Sequence, residues 1–375
     1  MSHAFKTILF ICLSAMSQTS FSQSCPFSDH TGKIQWDSSW ALPATEGKAN
    51  IGVAGAFSGF IGETLVVAGG ANFPDNVPWR GGHKTWYNRI YSIDLSQKSP
   101  QWSVTDNLMP EALAYGVSIQ LPEGVLCIGG CGKAACSDKV FLLGEKEGHL
   151  TVSTDWPSLP TPLADATGAL SGNKIYVAGG QERMDKQEAT KHFYVLDLTK
   201  KEQGWKELAA WDGEPRGYAV SAVQSDGKEE CFYLFGGRNY RADGYVQVLT
   251  DGYEYHPQQH TWKLLKGSFP VMAGTAFALK DRYIVFCGGV PKLIDGSDNH
   301  PGFDNTIRVF NTRNHQLKVK ETSPYPIAVT TNLAYKDKTF FITSGEVKPG
   351  IRTPLIIKGK MTSQINKNHI YLNHK

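Results

Sequence analysis

Apolar residues in this chain come in short bunches rather than at helical spacing. Six runs each climb into a small-residue pair and stop: LVVAGG ending at Gly70, LCIGG at Gly130, IYVAGG at Gly180, FYLFGG at Gly237, IVFCGG at Gly289 and FFITSG at Gly345. Each is too short for a helix and predicts a buried strand. The glycines predict a backbone that turns through positive φ or lies against a neighbouring strand. Downstream, a second strand alternates in pattern: Ile90-Tyr91-Ser92-Ile93-Asp94, Phe193-Tyr194-Val195-Leu196-Asp197, Tyr253-Glu254-Tyr255 and Ile307-Arg308-Val309-Phe310. A tryptophan follows in three copies, at Trp102, Trp205 and Trp262. The runs end 50 to 60 residues apart. A period of that length marks one supersecondary unit copied many times.

The order of apolar run, glycine pair, aromatic strand and tryptophan resembles the kelch repeat. Kelch repeats are four-stranded blades of a β-propeller. The resemblance implies an all-β chain folded as a six-bladed propeller. The last copy has no tryptophan strand after it. The N-terminus carries one instead, from Ile34-Gln35-Trp36 to Trp40-Ala41-Leu42-Pro43. This predicts that an N-terminal strand completes the sixth blade and removes the free sheet edge.

Length and charge narrow the picture. Residues 1–23 hold Lys6, an apolar core from Thr7 to Leu13 and a Ser-rich end, the pattern of a signal peptide. The expected location is therefore outside the cytoplasm, the periplasm of a bacterium. Cys25 raises lipid attachment, but Phe21-Ser22-Gln23-Ser24 resembles a lipobox poorly. Residues 28–358 are assigned to the propeller and 359–375 to a basic tail. Six blades of about 50–60 residues use up the chain and leave no second domain. Net charge is +3 with the charges mixed along the chain, which argues against a nucleic-acid partner. Beyond the N-terminus no stretch approaches the ~20 apolar residues of a transmembrane helix.

Cys127, Cys231 and Cys287 sit inside apolar runs and read as small buried hydrophobes. Cys131 and Cys136 flank a short loop, a spacing open to a disulfide or to half a zinc site. No second Cys or His pair follows at matching spacing, so neither metal nor cofactor is expected.

In a propeller the loops at one end of the central channel converge, and that mouth is the default ligand site. The residues just after each glycine pair are placed to line it: Ala71-Asn72, Cys131, Gln181-Glu182, Arg238-Asn239, Val290 and Glu346. The sixth copy departs most, running Ser344-Gly345-Glu346-Val347-Lys348-Pro349-Gly350-Ile351-Arg352-Thr353. Pro349-Gly350 fits a type II turn. A hairpin on that turn brings the Glu346 carboxylate beside the Arg352 guanidinium.

At these residues the chain resembles the N-acetylneuraminate epimerase family, the sialic acid mutarotases. The matching segments are GEVKPGIRT, Ile51 to Phe57, Gly69 to Phe73, Tyr115 to Ser118, Pro215-Arg216 and Val271 to Gly274. In the best-known members the Glu/Arg hairpin lies in mid-chain, whereas here it comes last. The chain thus looks like a circular permutant, which a ring of repeats tolerates. The resemblance implies interconversion of the α and β anomers of sialic acid by acid–base ring opening and closure. It implies Glu346 as the base and Arg352 as the anion binder. Asn72, Arg216 and Arg238 are further candidates for substrate contacts, Arg216 being equally a structural arginine of its blade.

The alternative is a non-catalytic kelch propeller that binds a glycan or protein. A sialidase would carry Ser-x-Asp-x-Gly-x-x-Trp boxes, and none is present. A copper kelch oxidase would need histidines at matched blade positions, which this chain lacks.

Overall fold

The computed structural model describes residues 31–186, 188–241 and 243–362. The signal peptide, Cys25, the start of the propeller at 28 and the tail from 363 lie outside the described residues. These contain six four-stranded antiparallel sheets. Blade one is Phe57–Ile61, Thr64–Ala68, Ile90–Asp94 and Trp102–Thr105. Blade two is Val117–Leu121, Gly124–Ile128, Val140–Lys146 and His149–Ser153. Blade three is Thr167–Ser171, Lys174–Ala178, Phe193–Asp197 and Lys206–Glu207. Blade four is Val220–Ser225, Glu230–Tyr240, Val246–His256 and Thr261–Leu264. Blade five is Thr275–Leu279, Tyr283–Gly289, Asp304–Asn311 and Gln316–Thr322.

Blade six takes Leu333–Lys336, Thr339–Lys348 and Ile351–Thr362 from the end of the chain and Lys33–Ala41 from its start. The N-terminal strand pairs antiparallel with Ile351–Thr362, Ile34 opposite Met361 and Trp40 opposite Ile356. The ring closes there as the missing tryptophan strand predicted. One boundary is corrected. The last strand runs to Thr362, so Gly359–Thr362 belong to the blade and not to a tail. They stay in the sheet because Lys33–Trp36 pair with all four on one side and Thr339–Phe340 pair with Gly359 and Lys360 on the other.

The core is a set of wedges between neighbouring blades. Phe57 and Val66 of blade one pack with Val125 and Phe141 of blade two. Tyr176 and Phe193 of blade three meet Phe232 and Tyr255 of blade four. Phe277 and Val285 of blade five meet Phe340 and Ile357 of blade six. Each blade buries its two apolar faces only against its neighbours, which is why the repeat cannot stand alone. Tryptophans tie three of the blades back to the preceding blade or the connection that follows it. Trp205 Nε1 donates to Pro157 O, Trp262 Nε1 to Ala209 O and Trp36 Nε1 to Glu321 Oε1.

The glycine pairs serve close approach. A Cβ at Gly179 would fall 2.2 Å from the Arg216 carbonyl oxygen, and φ there is +65°. In blade six Ser344 takes the first glycine's place at φ 62°. Its buried hydroxyl accepts from Val53 N at 2.9 Å and lies 2.7 Å from Thr353 O, which offsets the cost of that backbone. Among the described residues no helix is long and apolar enough to cross a membrane.

Candidate functional site

Just before the inner strand of each blade, one residue adopts a left-handed backbone: Gly55, Tyr115, Asp165, Tyr218, Ala273 and Thr330, with φ between 51° and 68°. Their amides and carbonyls form a closed circle. Tyr115 N donates to Gly55 O, Asp165 N to Tyr115 O, Tyr218 N to Asp165 O, Ala273 N to Tyr218 O, Thr330 N to Ala273 O and Gly55 N to Thr330 O, at 2.7–2.8 Å. Five of the six are not glycine, so the circle holds conformations that L-residues rarely adopt. Below it runs a channel of about 170 Å³ lined by the inner strands. Above it opens a second cavity of about 300 Å³. Tyr115, Tyr218, Ala273 and Thr330 line both.

The residue after each glycine pair docks against the residue before this circle, as Arg238 does on Gly217 and Glu346 on Val329. These residues therefore gather at one end of the propeller, where the sequence placed them. The cavity is nevertheless one-sided. Arg238, Val290 and Glu346 line it. Ala71, Cys131 and Gln181 are buried outside its lining.

Glu346 and Arg352 stand directly opposite each other across the Pro349-Gly350 turn, where Gly350 has the φ of 74° that a type II turn needs. Arg352 Nη1 is 3.0 Å from Glu346 Oε1, and the same oxygen accepts from Gly350 N at 2.6 Å. The Arg352 side chain is 4% exposed and Glu346 18%. The guanidinium lies over the Phe73 ring at 4.7 Å. The ion pair is close but poorly aligned, so Arg352 Nε and Nη1 have no hydrogen-bond acceptor among the described residues. Both charges face the cavity.

Two more cations reach the same space. Arg238 lies over the Tyr218 and Tyr240 rings at 4.2 and 4.8 Å, and its buried Nε has no acceptor among the described residues. Lys84 sits 4.9 Å from the Tyr115 ring and 5.7 Å from Phe73. It comes from the blade-one loop, where Ala71–Asn72 pairs with Thr85–Trp86. That loop leans on the blade-six hairpin, since a Cβ at Gly350 would meet Pro78 Cδ at 2.3 Å. Nothing in the repeat pattern pointed to Lys84. Its one signal was the aromatic loop from Phe73 to Trp86 around it.

Two sequence candidates leave the site. Arg216 is fully buried inside blade four. Its Nη1 and Nη2 grip Asp251 at 3.0 and 2.9 Å, and Nη1 also donates to Gly236 O. Asn72 is buried as well, donating to Gly52 O and accepting from the Tyr87 hydroxyl. Neither lines the cavity. Both meet the needs of backbone and neighbouring blades. Cys131 and Cys136 bridge through their backbones and stand as free thiols.

Asp165, on the circle, is a second residue that the repeat pattern did not single out. Its carboxylate accepts from Gln181 Nε2 at 2.7 Å and bonds the Tyr218 hydroxyl. Burial pushes the carboxyl up to about 6, against the pull of Arg238. The folded state therefore holds this proton where the unfolded chain has lost it. Its contribution to stability is fully present below about pH 4 and is lost as pH rises through about 6. Asp165→Asn is expected to flatten the fall in unfolding free energy between those values. Urea titrations at pH 4, 5, 6 and 8 check this, and an unchanged slope in the variant would refute it.

Comparison with known proteins places the chain among relatives. The sequence model of a family described as N-acetylneuraminate epimerase matches residues 18–152 and 156–298. The Glu346–Arg352 hairpin lies beyond the matched segments. A Yersinia enterocolitica protein named N-acetylneuraminate epimerase is 28% identical over 264 residues, covering 61% of this chain and 64% of the relative. Relatives of the same name from Yersinia pestis and Haemophilus influenzae are 26% and 25% identical over 57% and 56% of this chain. The alignments span 60% of the length of each of those two.

Proposed function

The chain belongs to the N-acetylneuraminate epimerase family, and from that premise we propose that it is a mutarotase. It interconverts the α and β anomers of N-acetylneuraminate outside the cytoplasm. The observation that carries this reading is the Glu346–Arg352 pair, 3.0 Å apart on the wall of a cavity with two further cations.

Ring opening needs a base at the anomeric hydroxyl and a proton at the ring oxygen. Glu346 takes the hydroxyl proton, the bond from C2 to the ring oxygen breaks, and C2 becomes a ketone. Rotation about the bond beside C2 presents its other face. Closure returns the proton and inverts the anomer. Lys84, Tyr115 and Tyr218 are the protic groups on the walls from blades one, two and four that can serve the ring oxygen. No electron changes hands, so the residues suffice.

The substrate is an anion, and the unmatched N–H groups of Arg352 and Arg238 suit its carboxylate. Arg352→Ala and Arg238→Ala are each expected to raise KM for N-acetylneuraminate about 10–100-fold, the loss of one charge-assisted contact. Binding of a neutral sugar should change far less. Equal losses for both ligands would remove the carboxylate role.

The reading itself is tested by proton NMR of α-N-acetylneuraminate freshly released by a retaining sialidase. Faster approach to the anomeric equilibrium with the purified chain is the expected result. An unchanged rate with folded protein would overturn it and leave a binding propeller.

A further inference from the structure

Blade four carries a second cluster of reactive side chains, at the end away from the mouth. Along the strand Glu230–Tyr240, Arg238 stands at the mouth and Cys231 seven residues earlier, about 20 Å away along an extended strand. There the turn after Val220–Ser225 meets the end of Val246–His256. One carboxylate oxygen of Asp226, the Cys231 sulfur and a ring nitrogen of His256 lie within 4.8 Å of one another. The Cys231 sulfur is 3.5 Å from His256 Nδ1, and Glu229 Oε1 is 3.2 Å from that same nitrogen. An imidazole Nδ1 has one lone pair or one proton to offer, so it cannot satisfy both neighbours by hydrogen bonding.

A metal ion would satisfy both. With ordinary zinc–sulfur, zinc–nitrogen and zinc–oxygen lengths, the edges of a tetrahedral site measure about 3.3–3.6 Å. The 3.5 Å between the sulfur and the nitrogen falls in that range, and the 3.2 Å between Glu229 Oε1 and that nitrogen lies just below it. Asp226 turns its Oδ1 to the amides of Lys228 and Glu229 at 2.6 and 2.9 Å, which holds the carboxylate in the turn.

The far side of the imidazole supplies an independent observation. Glu254 is 1% exposed in its side chain, and its Oε2 has no hydrogen bond among the described residues. That oxygen is 3.6 Å from His256 Nε2, while its Oε1 accepts from the Tyr233 hydroxyl at 2.6 Å. A carboxylate behind a histidine is the usual way to orient a metal-bound imidazole. Lys263 and His315 reach the same oxygen only at 3.6 and 3.7 Å.

We propose that Asp226, Glu229, Cys231 and His256 form a binding site for a divalent transition metal of the zinc class, with Glu254 positioning His256. One sulfur, one nitrogen and carboxylate oxygens favour such an ion over calcium or magnesium. The ion would pin the turn to the strand end, a structural role remote from the mouth. Cys231 and His256 are 25 residues apart in sequence, outside any short-range zinc spacing, so only the blade's register joins them.

Cobalt(II) tests the site on the full chain after chelator treatment. One equivalent should bind with thiolate-to-cobalt absorption in the near ultraviolet, and zinc should displace it. Cys231→Ser should abolish that band and His256→Gln should weaken binding at least 10-fold, while Cys136→Ser leaves both intact. Glu254→Gln should weaken cobalt about 10–100-fold, the effect of losing an outer-shell partner. No thiolate band, or a band that persists in Cys231→Ser, overturns the proposal. If the buried Cys231 variant fails to fold, Asp226→Asn with Glu229→Gln decides. Loss of the zinc-induced rise in melting temperature supports the site, and an unchanged rise refutes it.

Discussion

Glu346→Gln is expected to slow catalysed anomer exchange of N-acetylneuraminate about 10²–10⁴-fold, the range of general acid–base assistance. The substitution separates chemistry from architecture. A glutamine keeps an oxygen to accept from Gly350 N, so the turn that presents the residue survives. It cannot take up the anomeric proton. Most of the loss should fall on kcat, because Arg238 and Arg352, the proposed anion binders, remain. Line-shape or exchange NMR under saturating substrate gives the rate, and circular dichroism gives the fold. A variant within a few-fold of the native rate would refute the assignment of Glu346 as base. A large rise in KM at unchanged kcat would recast it as a binding residue.

The second large effect concerns stability. Arg216→Ala is expected to destabilise the propeller by about 3 kcal/mol, the low end for breaking a buried ion pair, because Arg216 is fully buried but Asp251 only partly so. The arginine is fully buried, bonded twice to Asp251 and packed over Trp211 and Tyr253 at 5.3 and 5.2 Å. Its removal leaves the Asp251 carboxylate and the Gly236 carbonyl short of donors and opens a space between aromatic rings. Asp251 rests below the ordinary carboxylate range. Burial opposes that displacement, and it is outweighed by Arg216 and the Tyr253 hydroxyl. The pair therefore adds stability above pH 4 that is lost on acidification. Arg216→Met with Asp251→Asn should recover part of the loss, since volume returns without an unpaired charge. Denaturant unfolding of the single and double variants checks this. A loss under 1 kcal/mol for Arg216→Ala would be inconsistent with the buried pair. Arg216 resembled a site candidate in sequence because arginine beside a glycine-rich strand reads alike whether it faces ligand or core.

Much of the fold was legible in the order of residues because the kelch unit is local. A strand, a glycine pair and an alternating strand follow one another within a single blade, and blades meet only their neighbours. Even the closing strand announced itself, since the tryptophan missing after Phe340 appears at Trp36 and reaches blade five through Glu321. The Glu346–Arg352 pair was legible for the same reason. Seven residues and one turn keep the two within reach, although the turn alone would set Glu346 opposite Thr353, and a register shift between Glu346 and Lys348 brings it opposite Arg352. The strand end at Thr362 was less legible, because its last residues are held by pairing with Lys33 and its neighbours, at the other end of the chain.

What the amino-acid order determined by itself, then, was the number of blades, the end at which the residues after the glycine pairs gather and one charged pair there. The tertiary structure decided which other charges join that pair. Arg238 and Arg216 are 22 positions apart on one blade, yet one faces the cavity and the other is sealed against Asp251. Lys84 enters from a loop that folds over the adjoining hairpin, while Asp165, on the circle of hydrogen bonds that spans all six blades, lines the channel below. Cys231 and His256 meet only where two strands end. Short-range geometry follows from the local sequence. Placement between blades depends on how the ring closes, and no local stretch encodes that.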